Sequence, residues 1–214
     1  DLFLMPASGG APRRLTYNSS YDFPSGFTPD SQWVVYYSGA YGVGDLYKVR
    51  VTGGEPIRLT WDNREWKYMP RVSPDGRWIA YDFNGSPGAW RHRGYEGSNN
   101  ADIWLARFTT PLAEPQRLTV NPVQDFMPLW APDGQTLYYV SDRSGQVNLW
   151  SMDRKGGHQR QLTHYTSDGV RLPDISADGR KIVYEYDSEI WVYDTKACTE
   201  HPVPIQAPSD TREN

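Results

Sequence analysis

The chain has 214 residues, enough for one sizeable domain, and its nine Trp and fifteen Tyr are typical of a protein built from half-buried β-strands. Its net charge of −4 comes from acids and bases mixed along the chain, which excludes the basic patch of a nucleic-acid-binding protein. No run of about eighteen apolar residues is present to span a membrane, and the single cysteine, Cys198, excludes an internal disulfide and a thiolate metal cluster.

Three short motifs recur in one phase along the chain. An Arg/Gln-Leu-Thr tripeptide recurs in steps of 44, 59 and 44 residues, and a Pro/Ala-Asp-Gly/Ser tripeptide keeps pace with it. The third motif is an acid or amide followed by an aliphatic and an aromatic residue. The motifs begin at Arg14, Arg58, Arg117 and Gln161; at Pro29, Pro74, Pro132 and Ala177; and at Asp1, Asp45, Asp102, Asn148 and Glu189. A period of about 40–45 residues is typical of a β-propeller.

The sequence of each unit predicts four strands, as the third unit illustrates. Residues 68–73 form its first strand, and a Pro-Asp-Gly turn at 74–76 leads into the second strand at 77–83. Proline presets the second position of a type I turn and glycine suits the fourth. Residues 102–108 form the third strand, and the fourth strand ends at Thr119. Because no helical periodicity of useful length appears, helical repeat proteins are disfavoured.

In chain order, the motifs divide the chain into part of a unit at 1–16, complete units at 17–60, 61–119, 120–163 and 164–205, and a polar exit linker at 206–214. The predicted fold class is therefore all-β. It is an incomplete propeller of four-stranded antiparallel blades, with four full blades and half a blade. We expect an open arc cut from a larger protein, and its unpaired edges favour a homo-oligomer.

An insertion at 84–100 in the third unit carries a family resemblance. Its segment 89–95 reads Ala-Trp-Arg-His-Arg-Gly-Tyr and is followed by Ala-Asp-Ile-Trp at 101–104. This arrangement resembles the corresponding blade of the tricorn-type serine peptidases, and segments 125–130 and 161–166 strengthen the likeness. The resemblance covers essentially the whole chain. It implies the later part of a six-bladed N-terminal propeller, from the middle of the second blade to the sixth.

The resemblance implies a non-catalytic part of a large oligomeric peptidase that trims short peptides. In that family the catalytic serine, histidine and acid lie in C-terminal domains, and no segment here matches those domains. No catalytic residue is therefore carried over to this chain. The propeller is expected to serve as a scaffold or gate for peptide passage, with the rest of the parent chain and peptides as its partners. A cytoplasmic location is expected.

Two alternatives stay open. The Pro-Asp-Gly and Arg-Leu-Thr motifs also occur in TolB-type propellers, which are periplasmic and make protein–protein contacts in the cell envelope. The other alternative is the propeller cap of a prolyl-oligopeptidase-like enzyme, which usually has seven or eight blades. The segment 90–95 within the insertion argues against this second alternative.

The residues themselves predict no catalytic, cofactor or metal site. The sequence has no Gly-x-Ser-x-Gly elbow. Four histidines lack the spacing of a zinc site and are interpreted as loop residues: His92, His158, His164 and His201. Four recurrent acids, one per unit, are interpreted as turn residues that bond their own backbone rather than calcium ligands: Asp30, Asp75, Asp133 and Asp178.

The first strand of each unit is expected to lie nearest the propeller axis. Aligning the units on the turn acid places two sets in register, namely Gly26, Arg71, Leu129 and Asp174, and one step on Phe27, Val72, Trp130 and Ile175. The second set is apolar and predicts core, whereas the varied polarity of the first suits a solvated channel wall. Arg71 and Asp174 are the predicted polar lining. Arg91 and Arg93 are candidates for guiding a peptide carboxylate, and a loop that only braces the next domain is an equal alternative.

Overall fold

The computed structural model describes residues 1–61, 65–84, 94, 96–97 and 100–206. These residues form eighteen strands and no helix. The strands are β1 (Phe3–Leu4), β2 (Arg13–Arg14), β3 (Asp22–Phe27), β4 (Trp33–Ser38), β5 (Asp45–Arg50), β6 (Ile57–Arg58), β7 (Lys67–Val72), β8 (Trp78–Phe83), β9 (Asp102–Arg107), β10 (Ala113–Arg117), β11 (Asp125–Trp130), β12 (Thr136–Ser141), β13 (Asn148–Asp153), β14 (Arg160–Gln161), β15 (Arg171–Ile175), β16 (Lys181–Tyr186), β17 (Glu189–Asp194) and β18 (Thr199–Pro202).

The strands make four antiparallel four-stranded sheets and one two-stranded sheet. We call β1–β2 the half-blade, and β3–β6, β7–β10, β11–β14 and β15–β18 blades two to five. The first strands of successive blades contact one another, from β3 through β7 and β11 to β15. The predicted all-β propeller of four-stranded antiparallel blades is confirmed. The unit boundaries, the exit linker and self-association stay predictions, and residues 207–214 lie outside the described part of the chain.

The turn between the first and second strands of each blade is held by its acid. One oxygen of Asp75 accepts the Ser73 hydroxyl at 2.6 Å and the Arg77 backbone amide at 3.0 Å. Gly76 completes this turn at φ 71°, a conformation that costs glycine little. A carboxylate-to-amide bond of the same kind recurs at Asp30, Asp133 and Asp178. These bonds agree with the turn role predicted for the four acids.

The turn acids make the fold sensitive to acid. The hydrogen bond from Ser73, with those from Arg77, lowers the pKa of Asp75 to about 2. A folded-state pKa below the unfolded one stabilises the fold above pH ~4, and this stabilisation is lost as the pH falls towards ~2. Asp75→Asn keeps an oxygen acceptor but cannot be protonated at this position. We therefore expect its free energy of unfolding, measured in urea at pH 5, 4, 3 and 2, to fall less with acid than that of the native chain. A difference between the two chains that stays constant over this range would contradict the assignment.

A hydrogen-bonded cluster, the threonine clasp, joins the third and fourth strands of a blade. In blade three the buried Thr119 hydroxyl accepts the Ile103 amide at 3.0 Å and lies 3.4 Å from Asp102. A guanidinium nitrogen of Arg117 lies 2.8 Å from the other oxygen of Asp102. The amide-to-hydroxyl bond recurs at Thr16, Thr60 and Thr163. The Arg-Leu-Thr motif therefore supplies an ion pair and a buried acceptor for strand three.

Blade four has a neutral version of the clasp. Asn148 stands where blade three has Asp102, and Gln161 stands where it has Arg117. The Gln161 amide nitrogen donates to the Thr163 carbonyl at 2.8 Å, as the Arg117 Nε donates to the equivalent Thr119 carbonyl at 2.8 Å. Both members of the charged pair are changed together, so the hydrogen bonds remain and no unpaired charge is left in the interior.

The core lies between blades rather than within them. The leucine of each clasp packs on the next blade: Leu15 lies against Tyr36 and Val49 of blade two, and Leu118 lies against Tyr139 of blade four. Large aromatic side chains bury much of the apolar surface in these interfaces. Each blade is therefore stabilised by its neighbours along the chain.

Two predictions for the aligned sets are wrong. Phe27, predicted to be core, is 55 % exposed because the half-blade offers only two short strands on that side. Its ring lines a cavity of about 250 Å³ beside Leu2 and Leu4. Leu129, predicted for the solvated wall, is 2 % exposed and packs between blades four and five with Val140 and Ile182. Leu129 occupies the same register as Arg71 and Asp174, but its apolar side chain packs into the core between blades four and five.

Candidate functional site

The first strand of every blade carries an irregularity just before the aligned channel position. The pairing register shifts there in all four blades. In blades three to five a residue with positive φ precedes a proline, namely Met69 at 46°, Met127 at 56° and Leu172 at 47°. Proline fits a bulge because it has no N–H to lose from the ladder. The bulges bend the first strands near the axis and set the direction of the next side chains.

The structure brings together three of the four residues predicted for the channel wall. Nη2 of Arg71 in blade three lies 3.4 Å from Oδ1 of Asp174 in blade five. Their side chains are 28 % and 61 % exposed, so the pair faces solvent. Gly26 of blade two lies beside this pair, because a Cβ built at Gly26 would be in ordinary van der Waals contact with Nη1 of Arg71, at 3.5 Å. An exposed ion pair of this kind stabilises by about 0–1 kcal/mol, so opening it costs little.

Behind the pair lies a buried acid that the sequence analysis did not single out. Oδ1 of Asp82 accepts the Met127 amide at 2.9 Å. Burial raises the pKa of Asp82 well above its usual range, and the Met127 hydrogen bond and the positive charge of Arg71 oppose this rise. Strand pairing aligns Asp82 with Tyr37 and Val140 of the neighbouring blades. A carboxyl group where the two adjacent blades have tyrosine and valine was the sequence signal, and blade five carries Glu185 at the same register.

The backbone of Arg71 is also fixed. The Trp130 indole N–H donates to the Arg71 carbonyl at 2.9 Å, which ties the first strand of blade three to that of blade four. The guanidinium is free to change partner while its main chain stays in place. The site therefore consists of a solvent-exposed ion pair, Arg71 with Asp174, and a buried carboxyl group, Asp82, near Arg71.

The insertion of blade three is attached to blade four. The Gly94 amide donates to Oδ2 of the buried Asp142 at 2.8 Å, and Oδ1 of Asp142 accepts the Gln124 amide at 2.9 Å. Arg91 and Arg93, the predicted peptide-guiding residues, lie outside the described residues. Asp142 was not predicted, and its burial among polar loop residues is visible only in the structure.

Comparison with known proteins establishes the family. A family model described as the tricorn protease N-terminal beta propeller domain matches residues 1–199. The chain belongs to this family. The resemblance predicted from the insertion and the repeats is confirmed.

The relatives of this tricorn-type propeller are longer proteins, and the matching region is only a part of each. The dipeptidyl-peptidase 5 of Porphyromonas gingivalis is 30 % identical over 154 residues, which are 66 % of this chain and 21 % of that protein. A tricorn protease homolog of Saccharolobus solfataricus is 24 % identical over 194 residues, or 86 % of this chain and 15 % of that protein. The chain thus spans about a fifth or less of these two relatives.

A solved structure shows the same fold. The putative TolB from Agrobacterium tumefaciens superposes with a TM-score of 0.73 at 20 % identity, covering 90 % of this chain and 69 % of that one. At this identity the likeness establishes the propeller architecture alone, which the tricorn-type propeller shares with TolB.

The described part of this tricorn-type propeller contains neither a metal-binding cluster nor a membrane-spanning helix. Within those residues, no three His, Cys, Asp or Glu side chains come together as a metal site. In the same ranges no helix is long and apolar enough to cross a membrane. His158 lies on the surface with its Nδ1 2.7 Å from Asp153. That pair lies in a turn, next to the Gly156 and Gly157 amides, so its local role is structural.

Proposed function

We propose that this chain is the non-catalytic propeller part of a tricorn-like peptidase and serves as scaffold and gate for peptide passage. The observation that carries the proposal is the Arg71–Asp174 contact between the first strands of blades three and five. Membership of the tricorn propeller family and likeness to peptidase relatives support the assignment.

The chemistry of the pair suits a peptide with free termini. A peptide carboxylate can take two hydrogen bonds from the Arg71 guanidinium, and a peptide ammonium can pair with Asp174. Because the exposed pair is weak, a peptide that offers the opposite charge to each side chain competes with it effectively. Arg91 and Arg93 of the insertion stay sequence-based candidates for guiding the peptide carboxylate.

The test uses the full-length protein encoded by the gene. We expect Arg71→Gln to lower kcat/KM about three- to tenfold for peptides with a free carboxylate, because one charge-assisted contact of about 1 kcal/mol is lost. Amidated peptides should be nearly unaffected. We expect Asp174→Asn to raise kcat/KM for N-acetylated peptides with a free carboxylate, since the carboxylate that competes for Arg71 is removed and these peptides have no ammonium group to pair with Asp174.

Arg107→Gln is the matched control, because Arg107 forms another exposed ion pair, with Glu114 at 3.2 Å, at the far end of a third strand. Identical kinetics for the Arg71, Asp174 and Arg107 variants would refute a gating role of the axial pair. An equal loss of kcat/KM with free and amidated peptides would refute carboxylate recognition.

The proposal also predicts that the 214-residue chain by itself hydrolyses no peptide. We expect no turnover of fluorogenic peptides and no serine labelled by an activity-based phosphonate probe, measured by intact mass. Labelling of any serine would overturn the non-catalytic assignment, and a known serine peptidase labelled in parallel serves as the positive control.

A second candidate function is a TolB-type interaction propeller of the cell envelope, favoured by the structural likeness to a putative TolB. The coding sequence on either side of this chain discriminates between the two proposed functions. A peptidase domain downstream of Asn214, without a secretion signal, supports the first proposal and a cytoplasmic location. A secretion signal, with the coding sequence ending near Asn214, supports the second and a periplasmic location.

A further inference from the structure

Two cations and two aromatic rings meet at the junction of blades two and three, and we call this group the basic junction. Lys48 and Arg50 alternate along β5, so both lie on the same face of the sheet. Lys48 Nζ lies 4.8 Å from the ring centre of Trp33, and the Arg50 guanidinium carbon lies 4.4 Å from it. Blade three contributes Phe108, whose ring centre is 5.3 Å from Lys48 Nζ, and Thr110, whose hydroxyl accepts from Lys48 at 2.9 Å.

The two positive charges of the basic junction lack a counter-charge. Among the residues that the structure describes, no carboxylate lies within ion-pair distance of Lys48 or Arg50. Asp30 attracts Arg50 from farther away, and its Oδ1 is held by the Thr28 hydroxyl and the Gln32 amide. Partial burial lowers the pKa of Lys48, and repulsion from the charge of Arg50 lowers it further. A bound anion would relieve this repulsion.

Blade three shows how the same arrangement is completed by a carboxylate. Strand pairing places Trp78 opposite Arg107, as it places Trp33 opposite Arg50. The Arg107 guanidinium carbon lies 4.3 Å from the ring centre of Trp78, nearly the distance found in blade two. In blade three, however, Arg107 Nε also lies 3.2 Å from Oε2 of Glu114. An arginine on a tryptophan face therefore keeps an N–H edge available for a carboxylate.

Blade two has a glutamate at the corresponding point of its sequence, but that glutamate lies elsewhere. Glu55 and Glu114 each precede a proline and stand three residues before the arginine of the clasp. Glu114 adopts φ 51° within a bulge of β10, whereas Glu55 has no positive φ. Glu55 lines a cavity of about 570 Å³ between the half-blade and blade two. Within the described residues it forms no ion pair with Arg50, so the carboxylate of blade three has no counterpart there.

The next two blades carry the opposite charge at the register of Arg50. Strand pairing places Asp153 of blade four and Asp194 of blade five at this position. Each of these acids accepts hydrogen bonds from backbone amides of its own turn. The local charge is therefore positive at the basic junction and negative farther along the chain. A negatively charged partner is attracted to the junction of blades two and three.

We propose that the basic junction binds a side-chain carboxylate of an acidic peptide segment from a partner protein. Arg50 donates charge-assisted hydrogen bonds to the carboxylate, and Lys48 adds the second positive charge while Thr110 holds its ammonium. The ligand takes the place beside Arg50 that Glu114 has beside Arg107.

The composition of the site favours a protein partner. Tryptophan and arginine are enriched among the residues that dominate binding energy at protein interfaces, and the net charge of −4 disfavours a nucleic acid. The basic junction is separate from the axial pair and does not depend on the proposed function.

The test is an NMR titration of the isotope-labelled 214-residue chain with the peptide N-acetyl-Ala-Glu-Glu-Ala-amide, which has no free terminus. N-acetyl-Ala-Gln-Gln-Ala-amide, with nearly the same shape and no charge, is the matched ligand control. We expect saturable shifts of the Trp33 indole N–H and the Thr110 amide, and at least about tenfold weaker binding of the glutamine peptide, because the charge-assisted contacts are lost. Absence of saturable shifts at these groups, or equal binding of both peptides, would overturn the proposal. Shifts of the same groups on dilution of the chain without peptide would assign the junction to a second copy and also overturn it.

Variants of the chain locate the site. Arg50 is exposed, so we expect Arg50→Gln to keep the native Tm and to weaken binding of the glutamate peptide about tenfold, a loss of ~1.4 kcal/mol. Arg50→Lys keeps the charge and should lose less. Arg180→Gln is the matched control, because it removes the same charge from an exposed pair with Asp178, 3.9 Å apart, in blade five. Equal affinity of the Arg50→Gln and Arg180→Gln variants for the glutamate peptide would place the peptide elsewhere and contradict the assignment.

Discussion

Replacing Gly156 by alanine is expected to lower the free energy of unfolding by about 2–5 kcal/mol, from about 1–2 kcal/mol for the left-handed backbone and about 1–3 kcal/mol for overpacking. Gly156 lies in the turn between β13 and β14 with φ at 83°. A Cβ built there would lie 2.5 Å from the Leu118 carbonyl oxygen of the preceding blade. This oxygen belongs to the main chain, so it cannot turn away as a flexible side chain would.

Gly53 provides the matched control, because it occupies the same turn in blade two with φ at 90° and no atom within 4 Å of a built Cβ. Gly53→Ala should cost only the conformational part, about 1–2 kcal/mol. Urea unfolding followed by tryptophan fluorescence measures both variants. Equal losses at the two glycines would show that blades three and four separate at this point without cost, contrary to the packing described.

The second large effect is expected at the threonine clasp of blade four. Thr163 is fully buried, and its hydroxyl accepts the Leu149 amide at 2.9 Å and lies 3.0 Å from the Asn148 side-chain oxygen. Thr163→Val keeps the shape and removes the hydroxyl, so a buried amide loses its partner. We expect a loss of about 2–4 kcal/mol in the free energy of unfolding, from the missing hydrogen bond and the unsatisfied donor.

Thr163→Ser separates the contribution of the hydroxyl to stability from that of the methyl group. Serine retains the acceptor for Leu149 and should cost only about 1 kcal/mol, the transfer energy of one buried methyl group. Thermal unfolding and hydrogen exchange at the Leu149 amide measure the two variants. If serine proves as destabilising as valine, then packing of the methyl group, and not the hydrogen bond, holds the third and fourth strands together.

The architecture followed from the sequence because its recurring motifs are local backbone chemistry. The turn acid bonds the amide two residues later, as at Asp75, and needs no distant partner. The clasp threonine bonds strand three of its own blade, as Thr119 bonds Ile103. Such contacts repeat with every unit, so they leave a periodic signal that a single sequence reveals.

The parts that sequence reasoning missed depend on neighbouring blades. Phe27 is exposed because the half-blade has only two short strands, and Leu129 is buried because Ile182 of blade five belongs to the same core cluster. Aligning the units singled out Arg71 and Asp174, but only the bent first strands show that they lie 3.4 Å apart.

The neutral clasp of blade four has a consequence for how such propellers evolve. A chain that acquired Gln161 while keeping an aspartate at 148 would bury a carboxylate without a counter-charge, whereas the pair as it stands avoids that cost. The two positions should therefore coevolve, and their columns should covary in an alignment of homologous blades. Recombination that separates the third strand of a blade from its fourth should be selected against, so viable crossover points should fall between blades.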